Sequence, residues 1–286
     1  MRHALREHGP MRDFLRNLTP GAMLCLVILS LLTLLAITAP WISPYSPSDI
    51  LSNESYQPPD DSMLLGSDYL GRDLLSRAIH GLRITLGVSL AVTVMAFFLG
   101  CLTGFLTATL GGLYDTLLSR IVDALIALPA IMIALIVIAA LGSSLPVLIV
   151  TLALIDATRV FRVARALAMD IVVLDFVAAA RVRGEAPAWI MWHEILPNAL
   201  DPLAAEFGIR FTYNIIFMSA LGFLGLGMQP PHADLGLMIR ENLQGLLFGS
   251  YAPLYPALII SLITVSMNIL VDGYLQQMNT AARGGF

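Results

Sequence analysis

Six apolar stretches, each about as long as a lipid bilayer is thick, constrain the fold of this chain more than any other feature. A helix needs roughly 20 apolar residues to cross a hydrocarbon core of ~30 Å. The chain of 286 residues is 57% hydrophobic and only 13% charged, so it lacks the polar surface that a soluble protein of this size needs. We therefore predict an all-α, polytopic membrane protein with about six transmembrane helices, at about 21–41, 84–108, 118–141, 145–166, 203–226 and 253–274.

The distribution of arginine predicts which side of the membrane each connecting segment occupies. Cytoplasmic segments of membrane proteins are enriched in Arg and Lys. Four Arg precede the first apolar stretch, and Arg181 and Arg183 lie between the fourth and the fifth, whereas the segment after the first stretch begins with acidic residues. The sequence therefore predicts a cytoplasmic tail (1–20), a first transmembrane helix (21–41) and an external loop with an amphipathic entry segment (42–83). A core of five transmembrane helices (84–275) follows and includes a cytoplasmic loop (167–200). A second cytoplasmic tail (276–286) ends the chain.

All sixteen basic residues are Arg, and the lack of Lys excludes one kind of nucleotide site. A phosphate-binding loop of the form G-x-x-x-x-G-K-[ST] depends on its Lys to reach the nucleotide phosphates. We therefore expect no ATPase activity, no catalytic residue and no cofactor in this chain, so any ATP-driven role requires a partner. The two cysteines, Cys25 and Cys101, lie inside apolar stretches, and their spacing indicates no metal site.

The segment 167–200 is amphipathic and partly charged, although it lies between long apolar stretches. Gly184 interrupts a helical pattern, and Pro187 suits the first turn of a new helix, so the pattern predicts two short helices joined at Gly184. The second of them, from Pro187 to Ile195, would present Trp189, Ile190 and Trp192 on its faces. A short helix with bulky exposed apolar residues is typical of a partner-docking element, but also of a helix that lies on the inner leaflet of the membrane. Composition alone leaves both interpretations open.

The spacing in this segment resembles the EAA loop of ABC-importer permeases, the cytoplasmic loop that docks a membrane subunit onto its ATPase. Ala179 and Ala180 precede Gly184 at the family's interval, and a Leu-Pro pair follows about a dozen residues later. Ala178 stands where the family usually has Glu. The resemblance implies that the ATPase-coupling residues are Ala178, Ala179, Ala180, Gly184, Pro187, Trp189, Ile190, Leu196 and Pro197.

Two further segments resemble signatures of peptide-type ABC permeases. The first runs from Gly66 to Arg77, where Asp68 can pair with Arg72 and Asp73 can cap a helix. The second reads Gly-Phe-Leu-Gly-Leu-Gly-Met-Gln-Pro-Pro over 222–231, with Gly in place of the family's Ser at its start. Glycines so closely spaced let helices approach each other or let the backbone bend. We expect a packing role or a place at the pore mouth for Gly222, Gly225 and Gly227.

Two pairs of opposite charges lie inside predicted transmembrane helices. Asp156 and Arg159 are three residues apart, and Glu206 and Arg210 are four apart, so each pair can neutralise itself along one helix face. Charged side chains within membranes also mark substrate pathways. The pattern therefore predicts either self-paired charges or residues that face the pore and contact the termini of a substrate.

The three motifs together identify the chain as resembling the permeases of the dipeptide, oligopeptide and nickel class of ABC importers. The resemblance implies a type I permease fold in the bacterial inner membrane, with both termini cytoplasmic and the external loop periplasmic. It also implies a second homologous permease subunit, two ATP-binding subunits that hold ATP and Mg, a periplasmic substrate-binding protein and contact with lipid. We expect no nucleic-acid partner. The solute would be a peptide, a nickel chelate, an opine or glutathione.

A secondary transporter driven by an ion gradient is the alternative function. Such a protein works without an ATPase and uses acidic relays near the middle of the membrane, often at broken helices. Asp156 and Glu206 are the residues that would serve in that role.

Overall fold

The computed structural model describes residues 19–229 and 232–283, and every regular element within those ranges is helical. A five-residue π-helical turn, Met191–Ile195, joins two of the helices, and a 3₁₀ turn, Leu243–Phe248, follows another. The predicted all-α class is therefore confirmed. The helices are α1 (Pro20–Ile42), α2 (Leu74–Leu110), α3 (Gly112–Ala127), α4 (Ala130–Leu141), α5 (Leu145–Val172), α6 (Asp175–Val182), α7 (Pro187–Ile190), α8 (Leu196–Leu224), α9 (Leu235–Asn242) and α10 (Leu254–Arg283).

Four of the described helices are long and apolar enough to cross a membrane: α1, α2, the continuous segment Pro187–Leu224 and the Leu254–Met278 part of α10. Helices α3 and α4 form a fifth candidate span if they are taken together. Helix α5 has 28 residues, which is also long enough, but it carries Asp156, Arg159 and Arg162. These six segments correspond to the six apolar stretches of the sequence.

The third predicted span, 118–141, is not one straight helix. Its two halves, α3 and α4, meet at an angle of 86°. The break lies at Leu128, whose backbone is extended, directly before Pro129. Proline lacks the backbone N–H that would donate the next helical hydrogen bond, and it disfavours the helical conformation of the residue before it. The bend therefore has a local cause.

The connection between the fourth and fifth spanning segments is shorter than the predicted loop 167–200. Helix α5 continues to Val172, and α8 already begins at Leu196, so only 173–195 connects the two. The last helix is longer than predicted, because α10 runs to Arg283 through most of the predicted tail 276–286. Gln, Met, Ala and Arg are good helix formers, which explains the extension. The N-terminal residues 1–18, with their four Arg, lie outside the described residues.

Helices α2 and α5 run side by side in the same direction and form the centre of the bundle. A Cβ atom on Gly100 would lie 2.6 Å from the Cβ atom of Val160, and one on Gly104 would lie 2.9 Å from the carbonyl oxygen of Phe161. Small residues of this kind let two helices pack at close range in a membrane. One end of the bundle carries residues 43–73, which we call the loop end, and the other carries residues 173–195, the coupling segment.

Candidate functional site

Helix α6 holds the coupling segment against the bundle through one face. The side chains of Val177 and Ala180 are completely buried in a cluster that includes Phe105 of α2. Ala178 and Ala179 lie on the opposite face and are exposed. The resemblance to the EAA loop thus covers both faces of α6, one that anchors the helix and one that is free for a partner.

Gly184 ends α6 in the backbone conformation that favours glycine. Its φ is +81°, its N–H donates to the Arg181 carbonyl at 3.0 Å, and the Glu185 N–H donates to the Ala180 carbonyl at 3.2 Å. These two hydrogen bonds form the Schellman cap, in which a left-handed residue follows the last helical turn. No atom lies within 4 Å of a Cβ built on Gly184, so backbone conformation, and not lack of space, requires glycine here.

Helix α7 is exposed on one side and buried on the other. Pro187 occupies its first turn and is exposed, whereas Ile190 is buried in the same cluster as Ala180. Trp189 is half-buried, and its ring stacks on that of His193 with 4.6 Å between centroids. The sequence predicted an exposed helix with Trp189 and Ile190 on its faces. Ile190 instead anchors α7 to the bundle.

The prediction that α7 is a separate short helix is wrong, because α7 continues through the π-helical turn into α8. The Leu196 N–H donates to the carbonyl of Met191, five residues earlier. Pro197 has no N–H to donate, and the Asn198 side chain supplies a hydrogen bond of 2.6 Å to the Glu194 carbonyl. Leu196 is half-buried and Pro197 is exposed. The Leu-Pro pair therefore marks a change of helix type and not the end of a helix.

The coupling segment exposes several large apolar side chains, which together we call the docking face. Val182 is 90% exposed and Val173 is 78% exposed. Exposed apolar patches usually mark sites of protein interaction or membrane contact. The docking face consists of Val173, Leu174, Phe176, Val182 and Trp192.

A polar cluster lies between α2, α5 and α8, in the middle of the bundle. The Arg210 Nε donates to Glu206 at 2.5 Å, and its Nη1 lies 3.6 Å from an Asp156 carboxylate oxygen. The amide nitrogen of Asn214 donates to Asp156 and to the Thr93 hydroxyl, both at 3.0 Å. The predicted pair of Glu206 and Arg210 is therefore present, and Arg210 also neutralises Asp156.

The predicted pair of Asp156 and Arg159 is wrong. Asp156 is turned inward and is 1% exposed, and its partners come from α8. The Arg159 guanidinium lies instead over the ring of Tyr213, 4.5 Å from the centroid. Residues three apart on a helix are neighbours, but here both side chains contact residues of α8 and not each other.

Because Arg210 contacts two carboxylates, we expect that Glu206→Arg with Arg210→Glu destabilises the protein, although the double change preserves net charge. The new Glu at 210 would face Asp156, so two carboxylates would meet in a buried site at a cost of about 3 kcal/mol. Adding Asp156→Asn removes one of these charges and should restore most of the stability. Thermal unfolding in detergent measures both variants. A reversed pair that is as stable as the original chain would show that Arg210 and Asp156 do not interact.

An ion-pair network at the loop end was only partly predicted. Asp68 pairs with Arg72 at 2.7 Å, as the sequence suggested, but also with Arg77 at 3.0 Å. Arg77 reaches Glu241 of α9 at 2.7 Å, and Arg72 reaches it at 3.4 Å. Two carboxylates and two guanidinium groups thus balance each other. Their contacts join the loop before α2 to α9, a connection that no local pattern in the sequence indicates.

This network is largely buried. Asp68 is completely buried and Arg77 is 2% exposed. Burial raises the pKa of Glu241, which lies on α9 outside the spanning helices, while Arg72 acts in the opposite direction. Asp73 caps α2, as predicted, because its side chain accepts a hydrogen bond from the Ser76 N–H at 2.8 Å.

The glycine-rich motif at the end of α8 lets α9 pack against it. A Cβ on Gly222 would overlap the Asp234 carboxylate, and one on Gly225 would overlap the Arg240 guanidinium. A Cβ on Gly227 would lie 2.6 Å from the Gly222 Cα. The three glycines therefore make room for the α9 segment. Pro230 and Pro231, the last two residues of the motif, lie outside the described residues.

Asp234 is the residue that these glycines accommodate. It caps α9 by accepting the Leu237 N–H at 3.1 Å, and the Thr85 hydroxyl donates to it at the same distance. Burial raises its pKa to about 6. In residues 19–229 and 232–283, no group of three or more His, Cys, Asp or Glu side chains is arranged to hold a metal ion.

Two family models match the chain. The model of the binding-protein-dependent transport system inner membrane component matches residues 96–283. The model of the N-terminal transmembrane domain of oligopeptide transport permease C matches residues 9–59.

Several curated proteins are similar over most of the chain. A putative peptide transport system permease protein of Brucella suis is 36% identical over 248 residues, which are 87% of this chain and 83% of the relative. The dipeptide transport system permease protein DppC of Escherichia coli K12 is 35% identical over 266 residues, 91% of this chain and 88% of the relative. The di/tripeptide transport system permease protein DppC of Pseudomonas aeruginosa is 32% identical over 273 residues, 93% of this chain and 90% of the relative.

A solved structure has a similar fold. It is described as the crystal structure of an amino acid ABC transporter with histidines, and one of its chains superimposes with a TM-score of 0.51. The match covers 71% of this chain and 94% of that chain, at 20% sequence identity. This likeness supports the fold of the helical core.

Proposed function

The chain belongs to the family of binding-protein-dependent transport system inner membrane components, and from this membership we propose that it forms one half of the pore of an ATP-driven peptide importer. The other half would be a second homologous permease. Two ATP-binding subunits would bind the coupling segment, and a substrate-binding protein would bind at the loop end. The relatives named as dipeptide and peptide permeases support peptides as the solute class.

The docking face is the observation that carries this proposal. It exposes five large apolar side chains at the end of the bundle where the EAA-like spacing occurs. The same segment is fixed to the bundle by Val177, Ala180 and Ile190. A partner that moves the docking face therefore moves the helices to which the segment is anchored.

The continuity of α7 and α8 explains how such movement would reach the pore. ATP binding would close the two ATP-binding subunits and displace α7. Because the π-helical turn connects α7 directly to α8, the displacement would act on the helix that carries Glu206 and Arg210. Two states of the bundle would then differ in how they bind the ATPases, which is what coupling requires. In this arrangement ATP and Mg are held by the partner subunits.

We also propose the orientation of the chain. The coupling segment carries Arg181 and Arg183 and would lie in the cytoplasm, in agreement with the positive-inside rule. The loop end would then face the periplasm of a bacterial inner membrane. Since α1 begins and α10 ends at the coupling end, both termini would be cytoplasmic.

Replacing Val182 by Asp tests the docking face. We expect Val182→Asp to release the ATP-binding subunits when the tagged chain is purified in mild detergent, because the variant places a charge in an apolar contact. The second permease should still co-purify. Mass spectrometry of the purified complex measures both.

Leu247→Asp is the matched control, because Leu247 is 85% exposed but lies at the loop end. This variant should retain the ATP-binding subunits. Loss of the ATPases from both variants, or from neither, would contradict the proposed docking face. A chain that purifies alone and supports uptake that collapses with the proton gradient would show that the protein is a secondary transporter.

A further inference from the structure

Arg159 lies halfway along α5, one helical turn from the carboxylate of Asp156. It follows Leu145, the first residue of α5, by 14 residues in a helix of 28. At 1.5 Å per residue it is therefore about 21 Å from one end of a helix ~42 Å long. Among the described residues no carboxylate oxygen lies within ion-pair distance of its guanidinium group, whose close contact is the ring of Tyr213.

The carboxylates nearest to Arg159 are already engaged. Asp156 is bound by Arg210 and Asn214, and Glu206 is bound by Arg210. Ionisable side chains at this depth almost always pair with another group or face water. Since Arg159 itself forms no ion pair among the described residues, its N–H groups can bind a further anion.

Arg159 lines a cavity of about 320 Å³ between α5 and the bent pair α3 and α4. The walls are apolar, apart from Thr151, Thr158 and Arg159. Sites for small solutes are mostly apolar and contain a few placed polar groups. A cavity with one guanidinium at its edge suits a solute that has an apolar side chain and a carboxylate.

Helices α1 and α3 differ in whether their exposed side chains include charged ones. On α3, which forms one wall of the cavity, Arg120 and Asp123 are exposed. On α1 the large exposed side chains are apolar, with Leu31 60% exposed and Leu34 57% exposed. Charged side chains inside a membrane avoid lipid. Leu31 and Leu34 are therefore suited to contact with lipid, whereas Arg120 and Asp123 require water or protein beside them.

We propose that Arg159 binds the carboxylate of the translocated peptide and that the adjoining cavity accommodates one of its apolar side chains. The proposal rests on the proposed function. A guanidinium group suits a carboxylate because its fork of N–H groups donates two parallel hydrogen bonds. The ring of Tyr213 holds the guanidinium group in place without neutralising it.

Photo-crosslinking during transport tests this site in the complete complex. Leu154 lines the cavity and is 54% exposed, so p-benzoyl-phenylalanine at this position would face the bound solute. The complex, reconstituted in vesicles with its binding protein, is irradiated while it imports a pool of isotope-labelled dipeptides and tripeptides. We expect labelled peptide to become attached at position 154. The same photo-reactive residue in place of Leu31, which faces lipid, should capture no peptide.

Substitution of Arg159 separates binding from folding. We expect Arg159→Gln to reduce the peptide adduct by about tenfold, since it removes a charged hydrogen-bonding group. Arg159→Lys keeps the charge and should give an intermediate yield. The amount of each variant in the membrane and its unfolding temperature control for misfolding, and the Lys variant still tests the site if the Gln variant does not fold.

Three results would overturn the proposed site while leaving the proposed function in place. An adduct between position 154 and the second permease would show that the cavity is a subunit interface. A peptide adduct that Arg159→Gln leaves unchanged would show that Arg159 does not bind the carboxylate, and a complex that imports the pool without any adduct would place the pathway elsewhere. If the unsubstituted complex imports no peptide with ATP, the proposed function fails, and this site fails with it.

Discussion

Replacement of Arg77 by Met is expected to lower the free energy of unfolding by about 3–5 kcal/mol, the cost of leaving a buried charge without its partner. Arg77 contacts both Asp68 and Glu241, at 3.0 Å and 2.7 Å. Its loss changes the balanced network of two carboxylates and two guanidinium groups into one with an excess negative charge. Thermal unfolding of the purified protein in detergent, together with its amount in the membrane, measures the effect.

Arg83→Met provides the matched control, because Arg83 lies on the same helix but is exposed. We expect this substitution to change stability by less than about 0.5 kcal/mol. Arg77→Lys should fall between the two, since one ammonium group cannot replace the fork that reaches both carboxylates. If Arg77→Met unfolds at the temperature of the unsubstituted protein, the network does not hold the loop end together.

Gly184→Val is expected to reduce ATP-dependent uptake by at least about tenfold while the protein remains in the membrane. At φ +81° any residue with a Cβ is strained by about 1–2 kcal/mol, and a β-branched residue is strained further. The turn would relieve this strain by changing its backbone conformation, which would shift α6 relative to α7 and divide the docking face. Uptake of labelled peptides and co-purification of the ATP-binding subunits measure the result.

Gly184→Asn separates the effect of backbone conformation from the effect of size. Asn adopts the left-handed conformation more readily than other non-glycine residues, and no atom lies within 4 Å of a Cβ at this position. This variant should therefore keep most of the uptake. Equal loss in both variants would indicate that the partner requires the bare backbone of Gly184, and normal uptake with Val would refute the coupling role of the turn.

The sequence predicted well those features that depend on local composition. Apolar length located the spanning segments, and the interval between Ala180 and Gly184 identified the turn that ends α6. Both signals lie within one helix or one turn, where apolar length and backbone conformation depend on residues that are adjacent in the sequence. The bend before Pro129 had the same kind of signal, but the apolar stretch continues on both sides of it and concealed the break.

The pairing of charged side chains was predicted less well, because partners lie far apart along the chain. Arg77 and Glu241 are 164 residues apart, and no periodicity connects them. The Asp156–Arg159 pair was wrong for a related reason. Spacing along one helix shows which charges can meet, whereas α8 supplies nearer partners for both. Which charged side chains pair depends on which helices pack together, and no local pattern in the sequence indicates that packing.

The π-helical turn at Met191–Ile195 adds one residue to the connection between the docking face and α8. An α-helical turn over the same stretch would need one residue fewer. Deleting that one residue would rotate α7 by about 100° relative to α8. The side chains of each helix would stay the same, but the docking face would point in a different direction. The angle at which this chain meets its partner is therefore set by a count of residues, independently of the residues that make the contact.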